Sequence, residues 1–159
     1  MGRKLIIKGA DFSANSIAEE LDITAIVAAS DSYQAQSTLG GFYAAPTSNA
    51  KRCCVAATLF STWGINISKY SKLEVVIKSG YDYVFGTGKT PGVDTNWQGW
   101  SGTTGGQTFS WVTGNQKAVA TLGENDLAMS LNLRYDDNTT EFSASTALTD
   151  IVESIKLIP

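Results

Sequence analysis

The chain has 159 residues, of which 43% are hydrophobic and 17% charged, with a net charge of -3 and no histidine. This length favours one domain spanning 1–159, and the apolar fraction is enough for a core that needs no disulfide or metal. The few basic groups are scattered, which argues against nucleic-acid binding. Without histidine the chain lacks the usual general base and the commonest zinc ligand.

The first fifty residues predict little regular structure. A short apolar run at residues 5–7 predicts a strand, and the pattern from Ser16 to Glu19 fits a capping box that opens a short helix or turn through Leu21. Residues 28–50 are rich in Ala, Ser, Gly and Gln. They predict a long irregular connection that carries at most a short strand at 41–43.

Strand patterns dominate from residue 51 onward. The apolar run at 53–60 predicts a strand buried on both faces. Its adjacent residues Cys53 and Cys54 would point to opposite faces, so they make a poor disulfide and are interpreted as small strand residues. The segments at 73–78 and 81–85 predict two strands joined at a glycine or one strand with a bulge. Further strands are expected at three places, residues 108–113, 118–122 and 155–158.

The clearest strand pattern lies at residues 127–135, where five apolar residues alternate with small or polar ones. This period predicts a strand with one face in the core and the other toward water. The following residues 136–138 predict a turn, and Ala144, Ala147, Leu148 and Ile151 have helical spacing over one or two turns. The chain is therefore expected to be an all-β sandwich of jelly-roll type, with about eight short strands and one or two short helical turns.

A long loop at residues 86–106 is the first candidate for function, since it is rich in Gly and Thr and carries two tryptophans. The tryptophans could form an apolar platform for a sugar or another protein. They could equally fold back and plug the end of the sandwich. The residues proposed to contact a ligand or partner are Trp97, Trp100, Asn96, Gln98 and Tyr83.

No sequence pattern indicates catalysis, a metal or a cofactor. The Lys89-Thr90 pair lacks the glycine spacing of a phosphate-binding loop. The acidic residues could in principle hold calcium, but their spacing differs from that of a calcium loop and turn chemistry explains them more simply; they are Asp126, Asp136, Asp137, Glu141 and Asp150. A small hydrolase with paired acids stays open as the least favoured alternative.

Three blocks of the sequence resemble a known group of proteins. Residues 4–17 read KLIIKGADFSANSI, residues 67–73 lead to the KSGY at 78–81, and residues 131–137 lead to 151–155. These blocks are similar to those of jelly-roll, carbohydrate-binding-module-like proteins of gut Bacteroidales and their phages, including crAss-like phages. The resemblance implies a domain of virion appendages, capsid decorations or cell surfaces. Its motifs set strands and turns, and they identify no binding residues.

Two functions follow as expectations. The first is a non-catalytic structural component of a bacteriophage virion, as a capsid decoration, head fibre or tail-associated subunit, in contact with other virion proteins or copies of itself. The alternative is a glycan-binding module of a phage appendage or bacterial surface protein. The apolar run after Arg3 and Lys4 is too short for a signal peptide, so the chain is expected to be made in the host cytoplasm, with no membrane partner.

Overall fold

The computed structural model describes residues 18–34, 52–89, 111–143 and 145–159. These ranges contain eight strands, one short α-helix and three single 3-10 turns. The strands are β1 (Leu21–Asp22), β2 (Tyr33–Gln34), β3 (Cys53–Leu59), β4 (Lys72–Ile77), β5 (Tyr81–Gly88), β6 (Lys117–Thr121), β7 (Ala128–Tyr135) and β8 (Val152–Ile158). The helix is α1 (Thr24–Ala28), and the 3-10 turns are Phe60–Trp63, Ile67–Lys69 and Leu148–Asp150.

The strands form two antiparallel sheets of four strands each. In the first sheet the order is β1-β8-β4-β6, and in the second it is β2-β3-β7-β5. One apolar core includes residues of both sheets, so the sheets pack face to face. The predicted all-β sandwich is thereby confirmed, while its jelly-roll connection stays a prediction.

The core forms from alternate residues of each strand, as the period of two requires. The first sheet contributes branched aliphatic side chains, and the second adds aromatic and sulfur-containing ones. All of the following are at most 3% exposed: Leu73, Val75, Ile77, Ile155 and Leu157 from the first sheet, and Cys53, Val55, Tyr83, Met129, Leu131 and Leu133 from the second. Helix α1 and the turn at Leu148–Asp150 close one end of this core with Val27 and Leu148.

Tight turns with left-handed backbone end two of the strands. Gly80 has a φ of 96° between β4 and β5, where the chain passes from the first sheet to the second. Of the two alternatives for this segment, two strands joined at a glycine is therefore correct. After β7, Asn138 has a φ of 55°, and the Asp137 carboxylate accepts hydrogen bonds from the backbone of Thr139 and Thr140. This confirms the turn at 136–138.

Two local expectations need correction. Ser130 and Asn132 of β7 are 4% and 2% exposed, so the polar face of this strand is buried and does not meet water as its alternation predicted. The helix or turn expected through Leu21 does not form at residues 18–21, because Leu21 pairs with Leu157 as a strand and α1 begins later, at Thr24. The helical spacing near the end of the chain is confirmed as one 3-10 turn, Leu148–Asp150. The strands expected at 5–7 and 41–43 lie outside the described residues, as do residues 108–110 of the strand expected at 108–113.

Candidate functional site

The most unusual group of side chains lies on the outward face of the second sheet, at the end where β3 begins and β7 finishes. We call it the arginine–tryptophan cluster, and it consists of Arg52, Asp82, Trp111 and Arg134. Asp82 and Arg134 are direct neighbours in the β5–β7 register. Cys53 pairs with Leu133, so Arg52, one residue before β3, lies beside Arg134.

The cluster is held by one ion pair and two cation–π contacts. Arg134 Nε donates to Asp82 Oδ2 at 3.0 Å. The guanidinium carbon of Arg134 lies 4.3 Å from the centre of the Trp111 ring, and that of Arg52 lies 5.1 Å from it. Arg52 also donates to the Asn138 side chain at 3.1 Å. Because two arginines side by side would repel each other, the indole ring and the carboxylate are what make the arrangement stable.

Through Asp82 the cluster extends from the surface into the interior of the protein. Its side chain is 1% exposed and that of Arg134 is 15% exposed, so the charges of the pair are largely removed from water. Such a pair roughly breaks even in stability, but either partner left alone is strongly unfavourable. The second carboxylate oxygen, Asp82 Oδ1, is buried and has no hydrogen-bond partner in the described part of the chain.

The sheet around the cluster presents a buried face of small side chains. Cys54, Ala128 and Val84 are at most 2% exposed there, alongside the polar Ser130 and Asn132. Gly86 and Gly88 of β5 belong to the same face, because their register partners are Ser130 and Ala128. Small residues in adjacent rows let other atoms approach the sheet backbone closely. The arginine–tryptophan cluster thus borders a buried face and reaches water itself, since Trp111 and Arg52 are only half-buried.

The two cysteines are unreactive parts of the sheet. Both are free and buried. Burial raises the pKa of Cys54 to about 12, and burial likewise raises the pKa of Cys53 well above its ordinary value. Their thiols therefore stay protonated at neutral pH and make poor nucleophiles or metal ligands. This confirms their interpretation as small strand residues.

Three of the five acidic residues weighed as calcium ligands accept hydrogen bonds within turns. Asp126 accepts from the Gly123 backbone at 2.7 Å and from the Thr87 hydroxyl at 2.8 Å. Asp150 accepts from the Ala147 backbone at 2.9 Å. Hydrogen bonds, first from the Thr140 side chain and then from the backbone of Thr140 and Thr139, lower the pKa of Asp137. Among the described residues no three potential metal ligands come together.

The predicted contact residues are placed only in part. Trp97, Trp100, Asn96 and Gln98 lie outside the described residues. Tyr83 is buried, with 3% of its surface exposed, because it lies on the inward face of β5 opposite Leu133. As placed, its side chain is a core residue and offers no surface to a partner.

Sequence reasoning missed the residues that form the cluster. Two signals for them were present in the strand patterns. Asp82 interrupts the apolar run of β5, and Arg134 is a charged residue in the otherwise small or polar set that alternates with the apolar residues of β7. Opposite charges that interrupt two strand patterns suggest that the two charged residues form a pair. The sequence alone, however, does not show that the two strands are neighbours in a sheet.

Comparisons with known proteins add no relative. The chain matches no protein-family model, no curated protein and no solved structure. In the described ranges, no helix has the length and apolar character needed to cross a membrane.

Proposed function

We propose that this protein is a non-catalytic structural component of a bacteriophage particle, as a capsid decoration, head fibre or tail-associated subunit, that acts through protein–protein contacts. The observation that carries the contact role is the half-buried Trp111 with Arg52 and Arg134 against its ring. Tryptophan and arginine are the residues most enriched among those that dominate binding energy at protein interfaces. The placement in a phage particle is supported by the sequence resemblance.

The physical state of the cluster favours a protein partner. Trp111 and Arg52 are half-buried and Arg134 is 15% exposed, so their side chains are already ordered by the cation–π contacts and the ion pair. Ordered anchors lose little conformational entropy when a partner docks. A guanidinium at 4.3 Å from the ring centre also occupies a face that a sugar would need for stacking.

A jelly-roll topology belongs to the same proposal. In its support, the order β1-β8-β4-β6 in the first sheet and β3-β7-β5 in the second matches a double Greek key that lacks one strand beyond β5 within the described residues. Val112 forms an isolated bridge with Tyr83 on that side of β5. We assign the segment around Val112 to the missing strand and β2 to an addition at the opposite edge. Jelly rolls are common among viral capsid domains.

The role of the carboxylates supports a protein without catalysis. Asp82 pairs with Arg134, and three further aspartates accept hydrogen bonds that fix turns; these are Asp126, Asp137 and Asp150. A catalytic acid pair requires two carboxyls that face one cleft and have different proton affinities. Groups that are committed to backbone turns are poorly suited to that task.

The proposed place in a phage particle is tested by the protein composition of purified particles. Phage particles encoded by the same genome are purified by density gradient, and their proteins are identified by mass spectrometry. We expect this chain to be present at a fixed ratio to the major capsid protein. Its absence from purified particles, together with genes for metabolic enzymes rather than capsid and portal proteins on either side of its own, would contradict the proposal.

The contact role is tested on particles grown without the protein. Purified wild type, Trp111→Phe and Trp111→Ala are mixed with them and sedimented. Loss of an interface anchor is worth about 2 kcal/mol or more, which weakens binding by about 30-fold. We expect that loss for Trp111→Ala and a smaller one for Trp111→Phe, which keeps an aromatic face. Equal binding by all three proteins would show that Trp111 is not part of the contact.

Glycan binding is the second candidate, and the half-buried Trp111 beside two guanidinium groups is the observation in its favour. Sugar sites combine an aromatic ring with a few polar donors. A glycan array probed with wild type and with Trp111→Ala tests this candidate. Specific hits that Trp111→Ala abolishes would favour it, and an array without hits would eliminate it.

A further inference from the structure

The first sheet ends at strand β6. Within the described residues no strand pairs with β6 on the side away from β4, so this side is open there. Lys117, Val119 and Thr121 are exposed, and Val119, at 55%, is the more exposed of two large apolar side chains on the described surface. Proteins usually protect an edge strand from pairing with prolines, charged residues or irregular register. Strand β6 contains no proline and one charge, and it shows no register irregularity against β4, so it has little of this protection.

The hydrogen-bond pattern fixes which backbone groups face the open side. The Leu122 N–H donates to Ser71 at 2.8 Å, and Gln116 accepts from Ile77 at 2.7 Å. Even-numbered positions of this segment therefore direct their backbone groups toward β4. In an antiparallel strand the alternate residues direct theirs the other way. The N–H and C=O groups of Val119 and Thr121 consequently point out from the edge of the sheet, as does the Lys117 C=O, while the Lys117 N–H donates to the Asn115 side chain at 3.2 Å.

We propose that β6 pairs antiparallel with β6 of a second copy of this chain, about a two-fold axis at Val119. The sequence of β6 is Lys-Ala-Val-Ala-Thr, which is polar, small, apolar, small, polar. Read in the opposite direction it has the same polarity at every position. A two-fold contact requires this self-complementarity, because each residue meets its symmetry mate from the other end of the strand. Val119 and Thr121 would each donate one backbone hydrogen bond across the axis and accept one, and Lys117 would accept one; its N–H would donate across the axis after release from the Asn115 side chain.

The charges of the outward face agree with this register. Asp22, Lys156, Glu74 and Val119 form one row across the sheet, with alternating charges that end at the exposed valine. In the dimer the two valines meet at the centre of a continuous row and bury each other. Lys117 lies opposite the partner's Thr121, so no like charges face each other across the axis. Lys117 also keeps its own ion pair with Glu74 at 3.0 Å.

The inward face supports the same pairing. Ala118 and Ala120 of β6 point toward the core and are buried and half-buried. Antiparallel pairing about Val119 places Ala118 opposite the partner's Ala120. Small residues on this side let the two cores meet without a clash. The result is a single eight-stranded sheet shared by two sandwiches, and this inference does not depend on the proposed function.

The test is the mass of the wild-type protein in solution, measured by sedimentation equilibrium over a range of concentrations, together with two lysine variants. Val119→Lys places two cations opposite each other at the axis, which we expect to raise the dimer dissociation constant by about tenfold or more. Ile26→Lys is the matched control, because Ile26 in α1 is the other exposed large apolar residue of the described surface, at 43%. It should leave the dimer unchanged. A monomeric wild type, or equal effects of the two variants, would overturn the proposal.

Two further variants test the register and protect against a trivial loss of folding. A mixture of Val119→Lys and Val119→Glu should recover dimers that neither forms alone. Val119→Cys should form a disulfide dimer on oxidation, because paired residues at the axis have Cα atoms about 5.5 Å apart. Thr121→Cys should not, since its symmetry mate lies four residues further along. The native cysteines are buried and do not compete. Cross-linking at 121 and not at 119 would refute the Val119 register.

Discussion

The outward faces of the two sheets differ in almost every physical respect. The first sheet carries partly exposed charges, of which Lys117 pairs with Glu74 and Lys156 pairs with Glu20. The second sheet has an outward face of small side chains that is buried, and the ion pair of Asp82 with Arg134 on it is largely removed from water. The same sandwich therefore has one sheet with a single buried face and one sheet buried on both.

This difference decides where the molecule tolerates change. An exposed charge can be lost with little effect, because water replaces its partner. A residue of a doubly buried sheet has protein on all sides, so a change of charge or volume has no room to relax. We therefore expect mutations on the second sheet to be costly on both faces, and those on the first sheet to be costly on one.

The largest effect is expected from Arg134→Ala, which leaves the buried Asp82 without its cation. Removal of one partner of a buried pair costs about 3–5 kcal/mol of unfolding free energy, to be measured by urea denaturation. The double change of Asp82 to Leu and Arg134 to Met should recover most of that loss, because no isolated charge remains. A loss below about 1 kcal/mol for the single variant would show that water reaches the pair.

A smaller loss is expected from Ala128→Leu. Ala128 is fully buried on the outward face of β7, so added methyl groups have no space and should cost about 1–3 kcal/mol. Lys72→Leu puts the same side chain on the exposed outward face of the first sheet and should change stability by less than about 0.5 kcal/mol. Equal effects of the two variants in thermal unfolding would contradict the contrast between the faces.

Alkaline pH should act selectively on the second sheet. Burial raises the pKa of Cys54 from 9.0 to about 12, while the thiol of the unfolded chain keeps its ordinary value. Above pH 9 the unfolded state therefore loses a proton that the folded state retains, and stability falls until the pH reaches the folded pKa. The slope is about 1.4 kcal/mol per pH unit for one such thiol. Urea denaturation at several pH values should show a shallower decline in Cys54→Ala.

Several neighbours of Cys54 titrate in the same direction. Burial raises the pKa values of Cys53, Tyr33 and Tyr81, and that of Tyr81 reaches about 12. All of them belong to strands of the second sheet. Cys54→Ala should accordingly reduce the decline in stability without abolishing it. Stability that stays constant from pH 8 to pH 11 would show that these groups are in contact with water.

The smallest effect is expected from Lys156→Ala. Lys156 Nζ lies 3.2 Å from Glu20 Oε2, with 34% and 53% of the two side chains exposed. Pairs this exposed contribute about 0–1 kcal/mol and are screened by salt. Lys72→Ala is the control, since Lys72 has no ion pair within the described ranges. Any difference between the two variants should disappear in about 1 M salt.

The strands of this protein could largely be predicted from the sequence, because their pattern is local. The alternation at 127–135 became β7, and the apolar run at 53–60 became β3. What surrounds a strand is set by distant parts of the chain. Alternation shows that Ser130 and Asn132 share a face, but it does not show that this face is buried. The order of strands within the sheets depends on contacts far apart in sequence for the same reason.

The candidate site was harder to predict than the fold. Asp82 and Arg134 are 52 residues apart, and only the β5–β7 register makes them neighbours. Trp111 joins them through its position just before the bridge of Val112 to Tyr83. The sequence pointed instead to aromatic residues in a long loop, since such loops commonly carry function. A pairing of charged residues that interrupt two strand patterns would have been the better signal.

The position of β8 has a consequence for how the molecule folds. β8 lies between β1 and β4, and the Ile155 N–H donates to the Thr24 hydroxyl across 131 positions of the chain. The first sheet cannot be completed before residues 152–158 emerge from the ribosome. Until then β4 and β6 can pair, but β4 lacks its other neighbour and its apolar face has no complete core. Contacts over such long distances slow folding, and unpaired edges invite aggregation. Early local structure therefore cannot complete the first sheet, which depends on pairing between residues far apart in sequence.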